Sequence, residues 1–105
     1  MTNNLAILDL GTNTFQLLIV EIAKASYKTI HKEKKFVKLG KFGLDKFNEA
    51  VINRAIEVII QYEKIVNQYQ VSDALIFGTA GLRMAKNAQT LISEIESITS
   101  YKVKQ

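Results

Sequence analysis

Near the start of the chain, Asp9-Leu10-Gly11-Thr12-Asn13-Thr14 sets a carboxylate, a glycine, two hydroxyls and an amide between two apolar runs, residues 5–8 and 15–22. Small polar residues between two β-type runs predict a tight hairpin turn. A turn of this chemistry can wrap a phosphate with its backbone N–H groups, or hold a metal-bound phosphate through the acid. The competing reading is a plain hairpin in which Gly11 supplies a positive φ. The order of the residues favours the phosphate reading. The acid precedes the glycine and closes a strand too apolar for a surface edge.

A second stretch has the same character. Gly78-Thr79-Ala80-Gly81-Leu82-Arg83-Met84-Ala85-Lys86-Asn87 follows the apolar run 74–77. Small residues between a strand and a helix form a turn whose N–H groups point at whatever occupies the crevice. Arg83 and Lys86 add positive charge there. If the strand before this turn lies parallel to the first strand, both turns emerge at one sheet end, where ligands of such sheets bind. Gly11, Thr12, Asn13 and Thr14 on one side and Gly78, Thr79 and Ala80 on the other are the expected phosphate-binding residues. Asp9 could hold a divalent cation, magnesium by its habits, with water and phosphate oxygens completing the shell. With one carboxylate at the site, that cation would bind weakly without the phosphate. No GxxxxGK[ST], GxGxxG or HExxH motif occurs, and no serine–histidine pairing has a plausible geometry.

The elements that must position these turns follow from periodicity. Residues 5–10 and 15–23 predict two buried strands, and residues 25–26 can turn the chain into a third over 27–36. Its alternation puts Tyr27, Thr29, His31 and Glu33 on one face and Lys28, Ile30 and Lys32 on the other. The lysines suit a sheet edge that must avoid pairing with other chains. His31, the only histidine, is expected as a surface strand residue. A loop with two glycines over 37–44 leads to the longest periodic segment. There, Phe47, Val51, Ala55, Val58, Tyr62, Ile65 and Tyr69 mark one face of a helix over about 45–69. Residues 71–73 break it. The run 74–77 is then a crossover strand parallel to an earlier one. Leu91, Ile92, Ile95 and Ile98 mark a helix over about 87–97, and residues 101–105 alternate like the first half of a strand. The fold class is α/β: a mixed sheet of a three-stranded antiparallel meander followed by parallel β-α-β-α units.

Composition bounds the rest. The chain has 105 residues, 48% of them hydrophobic and 23% charged, enough for one small domain with a core. It lacks cysteine, which excludes disulfides and cysteine-ligated zinc and fits a reducing cytoplasm. No apolar run reaches the ~18 residues of a membrane span, and the N-terminus has no basic n-region of a signal peptide. The formal net charge of +4 favours an anionic partner. Lys28, Lys32, Lys34, Lys35, Lys38, Lys41 and Lys46 crowd one region, as a solvated face or as a funnel for a polyanion.

Residues 9–15 resemble the first phosphate motif of the acetate and sugar kinase/Hsp70/actin superfamily. The Gly-Thr-Asn-Thr form followed by Phe15 and an apolar strand is most similar to the exopolyphosphatase and guanosine pentaphosphate phosphohydrolase (Ppx/GppA) family. Val37-Lys38-Leu39-Gly40 resembles that family's loop after the third strand. Phe77 to Asn87 resembles its strand-turn-helix signature, with arginine, alanine and asparagine at the same spacing. Two departures stand out. The family's loop usually continues with glutamate and glycine, where this chain has Lys41-Phe42-Gly43. Its second turn usually has serine or alanine where this chain has Gly81.

The resemblance implies a ribonuclease H-like (actin-like ATPase) domain, with residues 1–105 the N-terminal part of the first of two lobes that close over a phosphate chain. It implies catalytic roles for Asp9, orienting the metal or the attacking water, and for Arg83, neutralising charge on the phosphoryl group. It places the general-base glutamate beyond Gln105, so these residues alone are expected to be inactive. The implied activity is release of terminal phosphate from inorganic polyphosphate, or of the 5′-phosphate of guanosine pentaphosphate, by a cytoplasmic homo-oligomer. No membrane partner is expected, and nucleic acid is not the expected ligand. Two alternatives stay open: a non-catalytic polyanion-binding module using Arg83, Lys86 and the lysine cluster, and a lobe of an ATP-dependent kinase of the same superfamily.

Overall fold

The computed structural model of the chain describes residues 3–43 and 45–104. The loop assignment of Leu44 and the strand assignment of Gln105 lie outside the described residues. Five strands, β1 (Asn3–Leu10), β2 (Thr14–Ala23), β3 (Ser26–Phe36), β4 (Asp73–Gly78) and β5 (Val103–Lys104), form one sheet in the order β3-β2-β1-β4-β5. β1 and β2, and β2 and β3, are antiparallel. β4 runs parallel to β1, and β5 parallel to β4. The expected meander with a parallel extension is therefore the observed sheet, with β3 at its edge.

Register explains the core. Leu10, Leu8 and Ala6 lie opposite Phe15, Leu17 and Ile19 on β2, and opposite Gly78, Ile76 and Ala74 on β4. These rows are buried under two helices, α1 (Glu49–Gln68) and α2 (Ala88–Thr99). Helix α1 contributes Val51, Ala55, Val58, Ile59, Tyr62 and Val66, and α2 contributes Ala88, Leu91, Ile92 and Ile95. Each large side chain buried this way is worth roughly 1.5–3 kcal/mol. On the opposite sheet face Leu5, Ile7, Leu18, Leu75 and Phe77 are only partly covered.

Three expectations need correction. Helix α1 begins four residues later than its stripe suggests. Asn48 caps it, its side chain accepting the Ala50 N–H at 2.8 Å, so Phe47 is buried from the segment before the helix. The region 37–44 is not wholly irregular, for Leu39–Phe42 forms a 3-10 turn. The third correction concerns β3. A register shift between Ile19 and Val20 puts an extra residue into β3, and a bulge flips which face later side chains take. Tyr27 and Thr29 pair with Ile22 and Val20, whereas His31, Glu33 and Lys35 pair with the core residues Ile19, Leu17 and Phe15. His31 is consequently turned toward the C-terminal end of α1 and is half-buried, not fully on the surface. Its ring stands 5.4 Å from that of Tyr69, with Nδ1 3.2 Å from the Tyr69 hydroxyl and Nε2 3.5 Å from Glu33. Lys35 extends the cluster, pairing with Glu33 at 3.6 Å and with the Gln61 side chain.

Candidate functional site

The first turn, Gly11-Thr12-Asn13, is closed by Gly11 N–H donating to the Thr14 carbonyl at 3.0 Å. Gly11 has no positive φ, contrary to the plain-hairpin expectation; Gly43 is the only described glycine that does. What the turn requires of Gly11 is closeness. A Cβ there would stand 3.2 Å from the Thr14 carbonyl oxygen.

The loop after β3 wraps this turn. Asn13 O accepts the N–H groups of Val37 and Lys38, both at 2.9 Å, and Thr12 O accepts that of Leu39 at 2.7 Å. Within a planar trans peptide the carbonyl and the following N–H point in opposite directions. The N–H groups of Asn13 and Thr14 therefore point away from this loop. Among the described residues no protein group accepts the N–H of Thr12 or Asn13. Lys38 adopts a left-handed conformation to fit, with φ 53° and ψ 52°.

The second turn meets the first. Thr79 N–H donates to the Leu10 carbonyl at 3.1 Å, continuing the β1–β4 pairing by one residue. Ala80–Arg83 then forms a 3-10 turn. Its opening N–H groups, on Ala80 and Gly81, have no acceptor within it. Gly81 lies against Thr12, and an added Cβ would come within 3.1 Å of Thr12 Cγ2 and 3.8 Å of Thr79 Oγ1. Gly78 is close-packed too, for a Cβ would meet Leu82 Cδ2 at 2.8 Å and Val103 Cγ1 at 3.3 Å. The structure thus brings Gly11, Thr12, Asn13, Gly78, Thr79 and Ala80 to one sheet end, with open amides on both sides.

Asp9 stands one residue back from the turn, between Gln16 on β2 and Phe77 on β4. It is exposed and has no hydrogen-bond or ion-pair partner among the described residues. Strand alternation puts Thr14 and Gln16 on its face of the sheet. No cluster of three histidine, cysteine or acidic residues able to hold a metal occurs among the described residues. A single unpartnered carboxylate fits a magnesium ion held mainly by phosphate oxygens and water, and does not fit a cage made of protein alone.

Arg83 departs from the simplest expectation. Its Nη2 donates to the Val103 carbonyl on β5 at 3.2 Å, and its Nε is buried without a partner among the described residues. The residue belongs to the second turn, but its side chain ties that turn to the outer strand.

Two residues read above only as part of a helix face and of a motif spacing support the site. Tyr62 of α1 donates its hydroxyl to the Phe15 carbonyl at 2.8 Å, pinning the helix to β2 just after the first turn. Burial, reinforced by the negative Glu33, pushes the Tyr62 pKa up to about 12, so the group remains a donor. Asn87 grips the main chain of Phe47. It accepts the Phe47 N–H and donates to the Phe47 carbonyl, both at 2.9 Å. Lys86 N–H donates to the Asp45 carbonyl at 2.7 Å beside it. The segment entering α1 is thereby held to the segment leaving the second turn.

A sequence model of the Ppx/GppA phosphatase family matches residues 18–104. The chain belongs to that family. Among curated Ppx/GppA relatives, the guanosine-5′-triphosphate,3′-diphosphate pyrophosphatase of Aeromonas hydrophila is 28% identical over 101 residues. That alignment takes in 93% of this chain and 20% of the relative, so the chain spans about a fifth of the relative's length. The crystal structure of an exopolyphosphatase from Cytophaga hutchinsonii superposes with a TM-score of 0.90 at 31% identity, covering 96% of this chain and 33% of that one. The Ppx/GppA family member of Aquifex aeolicus superposes with a TM-score of 0.92 at 22% identity, covering 99% of this chain and 35% of that one. The fold is accordingly the actin-like ATPase type of the ribonuclease H-like class. Within it the two glycine-bearing turns are those that the resemblance singled out.

Proposed function

We propose that the protein to which these residues belong is a phosphoanhydride hydrolase. It would release the terminal phosphate of inorganic polyphosphate, or the 5′-phosphate of guanosine pentaphosphate. One observation carries this reading: the two turns approach until a Cβ at Gly81 would crowd Thr12, while their amides at Thr12, Asn13, Ala80 and Gly81 find no acceptor among the described residues. Convergent, fixed N–H donors at a sheet end suit the oxygens of a phosphoryl group.

In this mechanism the amides donate to the oxygens of the terminal and penultimate phosphates and hold the chain in line. Gly11, Gly78 and Gly81 keep the backbone close enough for that contact. The Thr14 hydroxyl, on the face of Asp9, donates to the same oxygens. Asp9 would hold magnesium, which when bound would neutralise phosphate charge. Arg83 keeps guanidinium N–H donors beyond the one given to Val103, and these would offset charge on the phosphoryl group. Water oxygen bonds to the terminal phosphorus, the bond from phosphorus to the bridging oxygen breaks, and the shortened chain departs with its electron pair. The water proton passes to a carboxylate outside these residues, so these residues bind phosphate chains without turning them over. The whole protein is proposed to act in the cytoplasm as a homo-oligomer; no described helix is long and apolar enough to cross a membrane.

The test is tripolyphosphate binding by the 105-residue chain with and without magnesium, alongside a phosphate-release assay. The expected result is magnesium-dependent binding, lost in Asp9→Ala, with no release. Release by these residues overturns the placement of the base. Binding indifferent to both magnesium and Asp9 instead supports a polyanion-binding module. That second reading rests on the exposed Lys28, Lys32 and Lys34 along the edge strand β3.

A further inference from the structure

One residue of the outer strand is held by side chains at both of its main-chain polar groups. Val103 N–H donates to Glu96 Oε2 of α2 at 2.8 Å, and Val103 O accepts from Arg83 Nη2 at 3.2 Å. We propose that Glu96 is a positioning residue for phosphate binding: by fixing the Val103 main chain it sets where the Arg83 guanidinium rests beside the second turn. The proposal deepens the functional reading above and rests on it.

Topology explains why these groups are available. β5 is the last strand in the sheet order and pairs with β4. In an extended strand the N–H and C=O of one residue leave by the same edge. Those of Val103 are taken by side chains, which places them on the edge away from β4, where no sixth strand stands among the described residues. Glu96 and Arg83 take the place of that strand's backbone. The Val103 side chain packs toward the second turn, for a Cβ on Gly78 would stand 3.3 Å from Val103 Cγ1. A shift of Val103 therefore moves both the support of Arg83 and the wall behind Gly78.

Charge is the second observation. Glu96 and Arg83 are an acid and a base, yet no ion pair joins them, and no carboxylate pairs with Arg83 among the described residues. A direct bridge would spend on a carboxylate the charge that a phosphoryl group needs. Here the carboxylate holds a neutral main-chain group, and that residue holds the guanidinium. Arg83 is placed while its charge stays uncancelled. Its Nε, without a partner among the described residues, shows that the protein leaves part of the guanidinium's donor set unused.

The other contact of Glu96 is Lys102, whose Nζ lies 4.0 Å from Oε1. The Lys102 side chain is 87% exposed, so solvent screens that pair and the Val103 N–H is the bond that fixes the carboxylate.

The test is tripolyphosphate binding by the 105-residue chain in magnesium at fixed salt, run as a double-mutant cycle between Glu96 and Arg83. Charge alone predicts that losing the Glu96 carboxylate tightens the binding of an anion. The proposal predicts the opposite for Glu96→Ala, a weakening of about fivefold. Glu96→Gln, whose side-chain carbonyl still accepts the Val103 N–H, is expected to stay within about twofold of the unaltered chain. Glu96→Asp, one methylene shorter, is expected to weaken binding about threefold, and it carries the test where Glu96→Ala does not fold. Arg83→Met keeps the apolar stem and is expected to weaken binding about tenfold, with no further loss when Glu96→Ala is added. Lys102→Ala is expected to change binding by less than about twofold. Urea unfolding confirms that each variant is folded. A general structural role for Glu96 would weaken the Arg83→Met protein as well, and that result overturns the proposal. Unchanged or tighter binding in the Glu96→Ala and Glu96→Asp proteins overturns it too. If the unaltered chain does not bind tripolyphosphate, the functional reading falls and this inference with it. If binding is indifferent to Arg83, the role of that residue falls and takes the inference with it. If binding depends on Arg83 but not on Glu96, only the inference falls.

Discussion

Gly81 and Thr12 lie on different turns, joined to different strands, yet a single methyl group added at Gly81 would press within 3.1 Å of Thr12 Cγ2. The contact joins the two halves of the phosphate cradle. It lends itself to a double-mutant cycle. Gly81→Ala alone is expected to cost roughly 1 kcal/mol, because the threonine methyl must move. In a Thr12→Ser background that methyl is gone. Gly81 has no positive φ, so alanine there then becomes neutral or stabilising, by about 0.4–1 kcal/mol. Urea unfolding of the four proteins measures the coupling. Additive effects would refute the contact.

Asn87 is expected to matter for stability rather than for phosphate contact. Asn87→Ala removes both hydrogen bonds to Phe47 and leaves a partly buried N–H and C=O without partners. The expected loss is about 2–3 kcal/mol. Asn87→Asp keeps the acceptor and loses the donor, so its loss should fall between zero and that of alanine. Chemical unfolding midpoints rank the three.

The Tyr62 hydroxyl carries a pH signature. Its pKa is raised from the ordinary 10.0 to about 12 in the folded chain. A folded state that holds a proton more tightly than the unfolded one loses stability as pH rises. The Tyr62 contribution is therefore full below pH 10 and is lost between about pH 10 and 12. Tyr62→Phe should cost about 0.5–1.5 kcal/mol at neutral pH, since one hydrogen bond to the Phe15 carbonyl is lost, and should flatten the alkaline limb. Thermal unfolding from pH 7 to 11 reads both effects. Burial likewise raises the Glu63 carboxyl, so that group favours folding only while protonated. Glu63→Gln is expected to stabilise at neutral pH and to have no benefit well below the usual carboxylate pKa.

Lys38 carries a backbone cost, with φ 53°. Lys38→Gly relieves the left-handed backbone and should raise stability by about 0.5–1 kcal/mol even after glycine's entropy is counted. Urea unfolding of the two proteins measures the gain, and an unchanged or lower midpoint would refute it.

The fold was legible in the sequence because its signals are redundant. Alternation marks β1 and β2, a periodic stripe from Val51 to Tyr69 marks α1, and the glycine-bearing turns fall where parallel β1 and β4 bring them together. Asp9 and the residues 11–14 were legible for the same reason: their types and order announce a turn. The start of α1 could have been found, since Asn48 followed by Glu49 is an N-cap signal that the hydrophobic stripe overrode. Other features had no local signal. The bulge that turns His31 inward depends on pairing with Ile19 and Val20, far off in sequence. The left-handed Lys38 is imposed by hydrogen bonds to Thr12 and Asn13, and lysine carries no propensity for it. The Arg83 contact with Val103 is likewise tertiary.

The amides of Thr12 and Asn13, having no acceptor among the described residues, should exchange their hydrogens with solvent quickly, while those of neighbouring β1 exchange slowly. A phosphate chain seated on the turn would slow them without altering the sheet. The turn thereby carries its own occupancy gauge: two backbone resonances that fade in deuterated water when the site is empty and persist when it is filled.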